Sequence, residues 1–478
     1  MTRNPLLLVL AMSLSGCSFI PHYEEPAAPI PGAYPTSTAD SKQVETNATQ
    51  VSWKVFFQDP GLRRLIGLAL DNNRDLRKAA LNVAAYRAQY HIQSAELLPE
   101  IGVNGRGGRS RTPADLSNTG KALTTGDNAL QVGLASYELD LWGRIRSLDK
   151  SALETYLATQ EAQRNVQIGL VSNVAVAYLS WQTNQQLLAV TQSTLENYRH
   201  NLELVEASSQ AGTGSDLDVR QARTLVDSAR GEVQAYLRQV AQDENALRLL
   251  LGTGLPTDLP HAALDTQVLV RIPAGLPSGL LHQRPDILAA EHRLIAANAN
   301  IGAARAAFFP SITLTGSAGT ASSRLSGLFD SGSESWSFMP QINIPIFTGG
   351  RLSASLDYAE IEKDIEVANY EQSIQTAFRE VADGLAAMDT WDEELGSQQD
   401  LVRSTSEYTQ MAQQRYDEGV DSYLTLLDAQ RQLLSARQKL LTDHLAQLTA
   451  QINLYKALGG GWDSTASTPS TPGSDRKG

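Results

Sequence analysis

The side chains able to do covalent or acid–base chemistry are scattered along this chain. His22, His91, His200, His261, His282, His292 and His444 lack the close spacing that holds zinc, and no His-Glu-x-x-His run occurs. Thr119-Gly120-Lys121-Ala122 has neither the upstream glycine nor the final hydroxyl of a phosphate loop. Among 52 acidic residues close pairs are unavoidable and point to nothing by themselves. Neither catalysis nor a bound cofactor or metal is expected. The one reactive group with an informative position is the thiol of Cys17, the single cysteine, which excludes an internal disulfide. It follows Arg3, an apolar run from Leu6 to Met12, and then Leu14-Ser15-Gly16, so residues 1–16 read as a secretory signal with a small-residue cleavage site.

Leu14-Ser15-Gly16-Cys17 resembles a bacterial lipobox, which implies cleavage before Cys17 and a diacylglycerol on its sulfur. A second informative stretch runs from Tyr416 to Arg431, a tight turn between two helices. Gly419 can take the left-handed conformation that ends a helix, and Ser422 can accept a bond from amides that open the next. The same turn occurs earlier around Gly212 and Ser215, each 207 positions before its counterpart. Arg144 and Arg351 share that offset, as do Gly252 and Gly459, so the chain reads as one motif written twice. Upstream the offset is 211, from Asp75 to Asp286 and from Pro99 to Pro310. The first copy thus carries extra residues, which belong in a surface loop.

The elements that must position these groups follow from proline placement. Proline removes a helix donor, and none occurs between Pro113 and Pro256 or between Pro345 and Pro469. Long helices are expected there, one from about 147 to 211 and on the order of 95 Å at 1.5 Å per residue. Val219, Val226, Val233, Val240 and Leu247 fall seven apart, as do Leu426, Leu433, Leu440, Gln447 and Leu454. Such narrow apolar seams between polar faces suit a ring around water better than a solid bundle. Ahead of each helix pair the texture alternates with period two: Ile312, Leu314 and Gly316 against Thr313, Thr315 and Ser317, then Phe338, Ile342, Ile344 and Ile346 against Ser337, Gln341 and Asn343. In the first copy strands are expected at about 101–109 and 130–139, with loops at about 110–128 and 318–335.

Four strands per chain cannot close a membrane barrel, whose smallest bacterial form has about eight, so if these strands span a bilayer several chains must share one barrel. The formal charge of −13 argues against nucleic acid as a partner, and no later apolar stretch is long enough for a membrane-spanning helix. The expected division is a signal at 1–16, a lipid-anchored tether of irregular chain at 17–58, a first repeat at 59–256, a linker at 257–280, a second repeat at 281–460 and a flexible tail at 461–478.

Together, Leu14-Ser15-Gly16-Cys17, Asn72-Asn73-Arg74-Asp75-Leu76, Glu138-Leu139-Asp140-Leu141-Trp142-Gly143-Arg144, Gln283-Arg284-Pro285-Asp286-Ile287, Ala306-Ala307-Phe308-Phe309-Pro310-Ser311-Ile312 and Pro345-Ile346-Phe347-Thr348-Gly349-Gly350-Arg351 resemble the TolC-type outer membrane factors, in their lipoprotein, OprM-like branch. The resemblance covers nearly all of the mature chain. It implies a mixed α and β membrane protein of Gram-negative bacteria: a homotrimer with a 12-stranded outer membrane β-barrel continued by a periplasmic α-helical barrel. It further implies docking to a periplasmic membrane fusion adaptor and an inner membrane RND transporter, for the efflux of drugs and other small toxic compounds. In the same resemblance Asp428 maps to the acidic position that narrows the inner mouth, with Leu424 one turn nearer the tip. Asp218 is its rough mate, and Tyr416 and Asp421 are candidates for bonds that latch the tips, although Ser215-x-x-Asp218 also reads as a capping box. Three Asp428 side chains around one axis would repel unless neutralised. Trp142, Gly143, Gly349 and Gly350 are expected where strand turns into helix, and Arg284-Pro285-Asp286 as a simple helix start. Two other readings remain: the duct of a protein secretion system, and a periplasmic adaptor lipoprotein, which would carry one hairpin rather than two.

Overall fold

The structure, a computed structural model, describes residues 18–32, 34, 52–259, 268–270 and 283–461. Cys17, the signal, most of the linker and the tail from Trp462 on lie outside the described residues. Helices α1 (Trp53–Phe56), α2 (Pro60–Asn72) and α3 (Arg74–Ala95) precede strands β1 (Ile101–Thr112) and β2 (Leu123–Glu138). Then come α4 (Arg144–Gln210) and α5 (Asp216–Leu251), followed by α6 (Pro285–Ala306), β3 (Ser311–Ser322), β4 (Glu334–Asn343), α7 (Arg351–Asp417) and α8 (Tyr423–Ala457). The helices α4 and α7 are each 67 residues, roughly 100 Å of helix, and they start 207 positions apart. Among the described residues no helix is long and apolar enough to cross a membrane.

The chain divides into two compact units. The first holds the described N-terminal residues up to Ala27 with Asn82–Gln160 and Ala289–Glu371. Its sheet has the order β1-β2-β3-β4, antiparallel throughout, so β1 and β4 each leave one edge unpaired. The register sorts side chains cleanly. Ile101 and Val103 face Leu134 and Val132, which face Gly316 and Ala318, which face Phe338 and Trp336. This face is apolar and exposed; Trp336 keeps 80% of its surface. The opposite face is polar and internally bonded: Arg106 pairs with Asp127 at 2.9 Å, and the Ser317 hydroxyl bonds Ser337 at 2.9 Å and Gln131 at 3.4 Å.

The strands run further than the alternation indicates. The connections span only 113–122 and 323–333, not 110–128 and 318–335, and β4 ends at Asn343, short of Ile344 and Ile346. The outer third of the first hairpin is polar on both faces, so period two is silent there. Cross-strand pairs such as Ser110 to Thr125, at 3.0 Å, line the ladder instead. A bulge between Leu134 and Tyr137 also breaks the alternation of β2.

The expectation of a loose tether through 17–58 is corrected for the described parts of that stretch. Within the first unit, Phe19 stacks on Phe309 at 4.6 Å and Asn298 donates to the Pro21 carbonyl at 2.9 Å. Tyr23 donates to Glu291 at 3.3 Å, and Tyr370 to Glu25 at 2.9 Å. Gly302 makes room for this strap, because a Cβ there would lie 2.6 Å from Ile20. Apolar burial of Phe19 and Ile20 offsets the entropy of ordering an otherwise irregular segment.

The second unit comprises Ala28–Leu81, Glu161–Leu288 and the chain from Gln372 on. One core gathers Phe56, Phe57, Leu62, Tyr178, Leu251 and Tyr455, with Phe56 stacked on Tyr455 at 3.9 Å. Phe57 and Leu269 form a β-bridge, tying the start of this unit to the described piece of the linker. Arg284, read from sequence as part of a helix start, is also a buried clamp. Its guanidinium bonds Asp286 at 2.7 Å, Glu380 at 2.9 Å and the Ala457 carbonyl at 2.8 Å, joining α6, α7 and α8. Burial opposes its charge, but the two carboxylates outweigh that and raise its pKa.

Candidate functional site at the helical turns

Both turns lie in the second unit and share one chemistry. The α4–α5 turn closes with the Gly212 amide on the Ser209 carbonyl and the Thr213 amide on the Ser208 carbonyl, both at 3.0 Å. In the α7–α8 turn the Gly419 amide bonds Tyr416 at 2.9 Å and the Val420 amide bonds Arg415 at 2.8 Å. These are two Schellman motifs, and each needs a left-handed residue just past the helix. Gly212 at φ 76° and Gly419 at φ 72° supply it without a Cβ penalty.

The capping residues differ. The Ser215 hydroxyl accepts the Leu217 amide at 3.1 Å, one residue short of the Asp218 amide that a capping box uses. Ser422 makes no side-chain cap bond, contrary to the expectation from sequence; only its carbonyl is used, by the Thr425 amide at 3.1 Å. The α4–α5 hairpin carries cross-links of its own. Ser209 donates to Asp216 at 2.9 Å, and Arg223 reaches Glu206 across the first hairpin at 2.7 Å.

Asp421 and Tyr416 separate in role. Asp421 grips Arg415 with both oxygens, at 2.6 and 3.0 Å, across its own turn. This guanidinium holds the Asp421 carboxyl below its usual range. Tyr416 packs its ring 5.5 Å from that of Tyr423, beside a core of Leu225, Val226, Leu426 and Leu427. Burial, with the negative charges of Asp218 and Asp417, pushes the Tyr416 hydroxyl up. Asp218 is thus near enough to act on Tyr416 through its charge, whereas the polar partner of Asp428 is on its own helix. Asp428 and Leu424, one turn apart on α8, are both exposed. Asp428 accepts from Gln432 on its own helix at 2.7 Å and lines a cavity of about 460 Å³ with Arg431, Gln432, Ser435 and Glu232.

Sequence reasoning missed Arg415, whose signal is its place six residues before Asp421 across a glycine turn. It also missed how the strand-to-helix corner of the first unit is held. Trp142 and Gly143 lie between β2 and α4, as Gly349 and Gly350 lie between β4 and α7. Gly143, Gly349 and Gly350 have φ of 77°, 60° and 84°. The Trp142 indole donates to the Pro310 carbonyl at 2.8 Å and stacks on Phe309 at 4.9 Å. Asp140 caps α4 by accepting the Ile145 and Arg146 amides, and Glu138 takes Arg144 through two bonds. Nothing in this corner resembles a reaction centre.

A four-stranded sheet with an apolar outer face and two open edges, followed in each half by paired helices of great length, defines a channel subunit of the outer membrane. Solved structures agree. The chain superposes on a membrane protein from Pseudomonas aeruginosa with a TM-score of 0.87, at 45% identity over 93% of this chain and all of that one. The open-state MtrE outer membrane channel of Neisseria gonorrhoeae gives a TM-score of 0.85, at 38% identity over 93% of this chain and 98% of that one. The chain belongs to the family described as outer membrane efflux protein, which matches residues 65–253 and again 276–460. Among its relatives are the solvent efflux pump outer membrane protein SrpC of Pseudomonas putida, 57% identical over 97% of this chain and 99% of the relative, and OprJ of P. aeruginosa, 45% identical over 95% of each.

Proposed function

We propose that three copies of this chain assemble into a passive exit duct, whose twelve strands close one barrel and whose helices ring a water-filled tube through the periplasm. The observation that carries this reading is the sheet itself. Four strands leave two open edges and present one apolar and one polar face, which is what one third of a barrel between lipid and water requires. The double match of the family and the recurrent element order support an internal two-fold repeat. The exported material is small toxic compounds of several kinds, supported by relatives named for solvent, toluene and antibiotic efflux.

The two helical turns form the periplasmic gate. Asp421 with Arg415, and Tyr416 with Tyr423, hold the α7–α8 tip closed on itself, Ser209 with Asp216 ties the α4–α5 tip, and Asp428 and Leu424 stand away from that packing and narrow the shared mouth. A periplasmic adaptor and an inner membrane RND transporter supply the cargo and the energy, and a lipid on Cys17 adds an anchor. The protein secretion alternative is disfavoured by the efflux relatives, and the adaptor alternative by two hairpins where an adaptor has one. The deciding experiment is the mass of the detergent-purified particle with bilayer conductance of the same sample. A conducting trimer is expected; a non-conducting monomer or dimer would overturn the shared barrel.

A further inference from the structure

The apolar face of the sheet does not stay apolar along its whole length. Followed along β1, its residues are Ile101, Val103, Gly105, Gly107, Arg109 and Arg111, because alternate residues share a face. Their partners on β2 change in step, from Leu134, Val132 and Leu130 to Asn128, Gly126 and Thr124. The last rows therefore carry two exposed guanidiniums on the side that otherwise meets lipid. Arg106, on the opposite face, is already committed to Asp127. Across the ladder Arg109 and Arg111 meet only Gly126 and Thr124, and Glu334, the acid ending the same face, lies three strands away on β4. The adjoining connections are neutral, with Asp115 against Lys121 and Asp330 against Arg324, so the positive charge at this end is that of Arg109 and Arg111 themselves.

Position along the strand identifies the partner. From Ile101 to Arg109 is about 26 Å at 3.3 Å per residue, or roughly 20 Å across the bilayer at a strand tilt near 40°. That is close to the height of an outer membrane apolar band, about 25 Å. The arginines sit at the end away from α3 and α4, where the bilayer gives way to headgroups on the outer side. An arginine in mid-bilayer is costly, whereas at the interface it costs little and can grip a phosphate with two parallel bonds.

We propose that Arg109 and Arg111 form a contact site for the phosphate groups of a phosphorylated glycolipid in the outer leaflet. The site rests on the barrel reading above. The test uses the detergent-purified, delipidated particle and two probes, a diphosphoryl lipid A and its dephosphorylated form, with binding read by native mass spectrometry. The wild type is expected to bind the diphosphoryl probe roughly tenfold or more tightly than the dephosphorylated one. The R109Q/R111Q variant should lose that preference, and R109K/R111K should retain part of it. Equal binding of the two lipids, or an unchanged preference in R109Q/R111Q, would overturn the site and assign these arginines to the seam with the next copy's β4. Inorganic pyrophosphate displacing the lipid at equal concentration would overturn it too, leaving a plain anion site. Conductance of the same sample separates the two readings: a conducting particle without phosphate preference overturns the lipid contact alone. Phosphate-selective binding by a non-conducting particle would support the contact and overturn the duct.

Discussion

At the scale of single residues the turns hold two kinds of acid. Asp421 is satisfied by Arg415 within its own hairpin, and Asp428 meets only Gln432 and the cavity. Removing Asp428 should therefore widen the mouth without loosening the tip. The Asp428→Ala channel is expected to show a higher single-channel conductance in planar bilayers and unchanged thermal stability. An unchanged conductance would remove Asp428 from the gate. The Asp421 carboxyl has a lowered pKa when folded, so its contribution is complete above the ordinary carboxylate range and disappears as pH falls through the lowered value. Acidification below the ordinary carboxylate range should thus raise the conductance of the wild type, whereas Asp421→Asn should be raised at neutral pH and lose this step. Arg284 belongs to stability rather than to gating. Its replacement by Met strands Asp286 and Glu380 and frees the Ala457 carbonyl, at a cost of roughly 3 kcal/mol, the lower end for a broken buried pair because the acids are partly exposed. Thermal unfolding of the particle measures it.

At the scale of elements, glycine marks where backbones must bend or touch. Gly212→Ala and Gly419→Ala each force a Cβ into a left-handed residue, at about 1–2 kcal/mol. Close strand packing is less forgiving. A Cβ at Gly319 would lie 2.2 Å from the Leu130 carbonyl oxygen, so Gly319→Val should part β2 from β3 and prevent assembly. A heat-modifiable trimer band on a mild gel, present for the wild type and missing for this variant, is the readout. The turns are legible in sequence because glycine and the seven-residue seams are local signals. The outer thirds of β1 and β2 are not, because their residues are polar on both faces and only the ladder between strands declares them. The strap of Phe19 to Glu25 is hidden for a related reason: a proline-rich segment has no period, and what orders it is Phe309, Asn298, Glu291 and Tyr370, far along the chain.

At the scale of the whole molecule, the chain in isolation leaves Trp336, Phe338, Val103 and Val132 uncovered and two strand edges open. In the trimer proposed above, lipid and neighbouring copies would answer both needs at once. Cys17→Ser should abolish incorporation of radiolabelled fatty acid, and persistent labelling would refute lipid on that sulfur.

The amino-acid sequence by itself determined the long helices and the hairpin turns and pointed to the family and to a duplication, since these are written in spacing and local motifs: proline-free windows, heptads, glycine and the 207-position offset. It also carried the four-strand count on which the proposed shared barrel rests. Only the tertiary structure decided which face of the sheet is apolar and where along it the basic residues begin, that Asp421 pairs with Arg415 while Asp428 does not, and that Arg284 clamps three helices. Those facts depend on strand register, on the path of a turn that folds Asp421 back onto Arg415, and on contacts such as Arg284 to Glu380 and Ala457 between residues far apart in the chain, none of which a one-dimensional period declares.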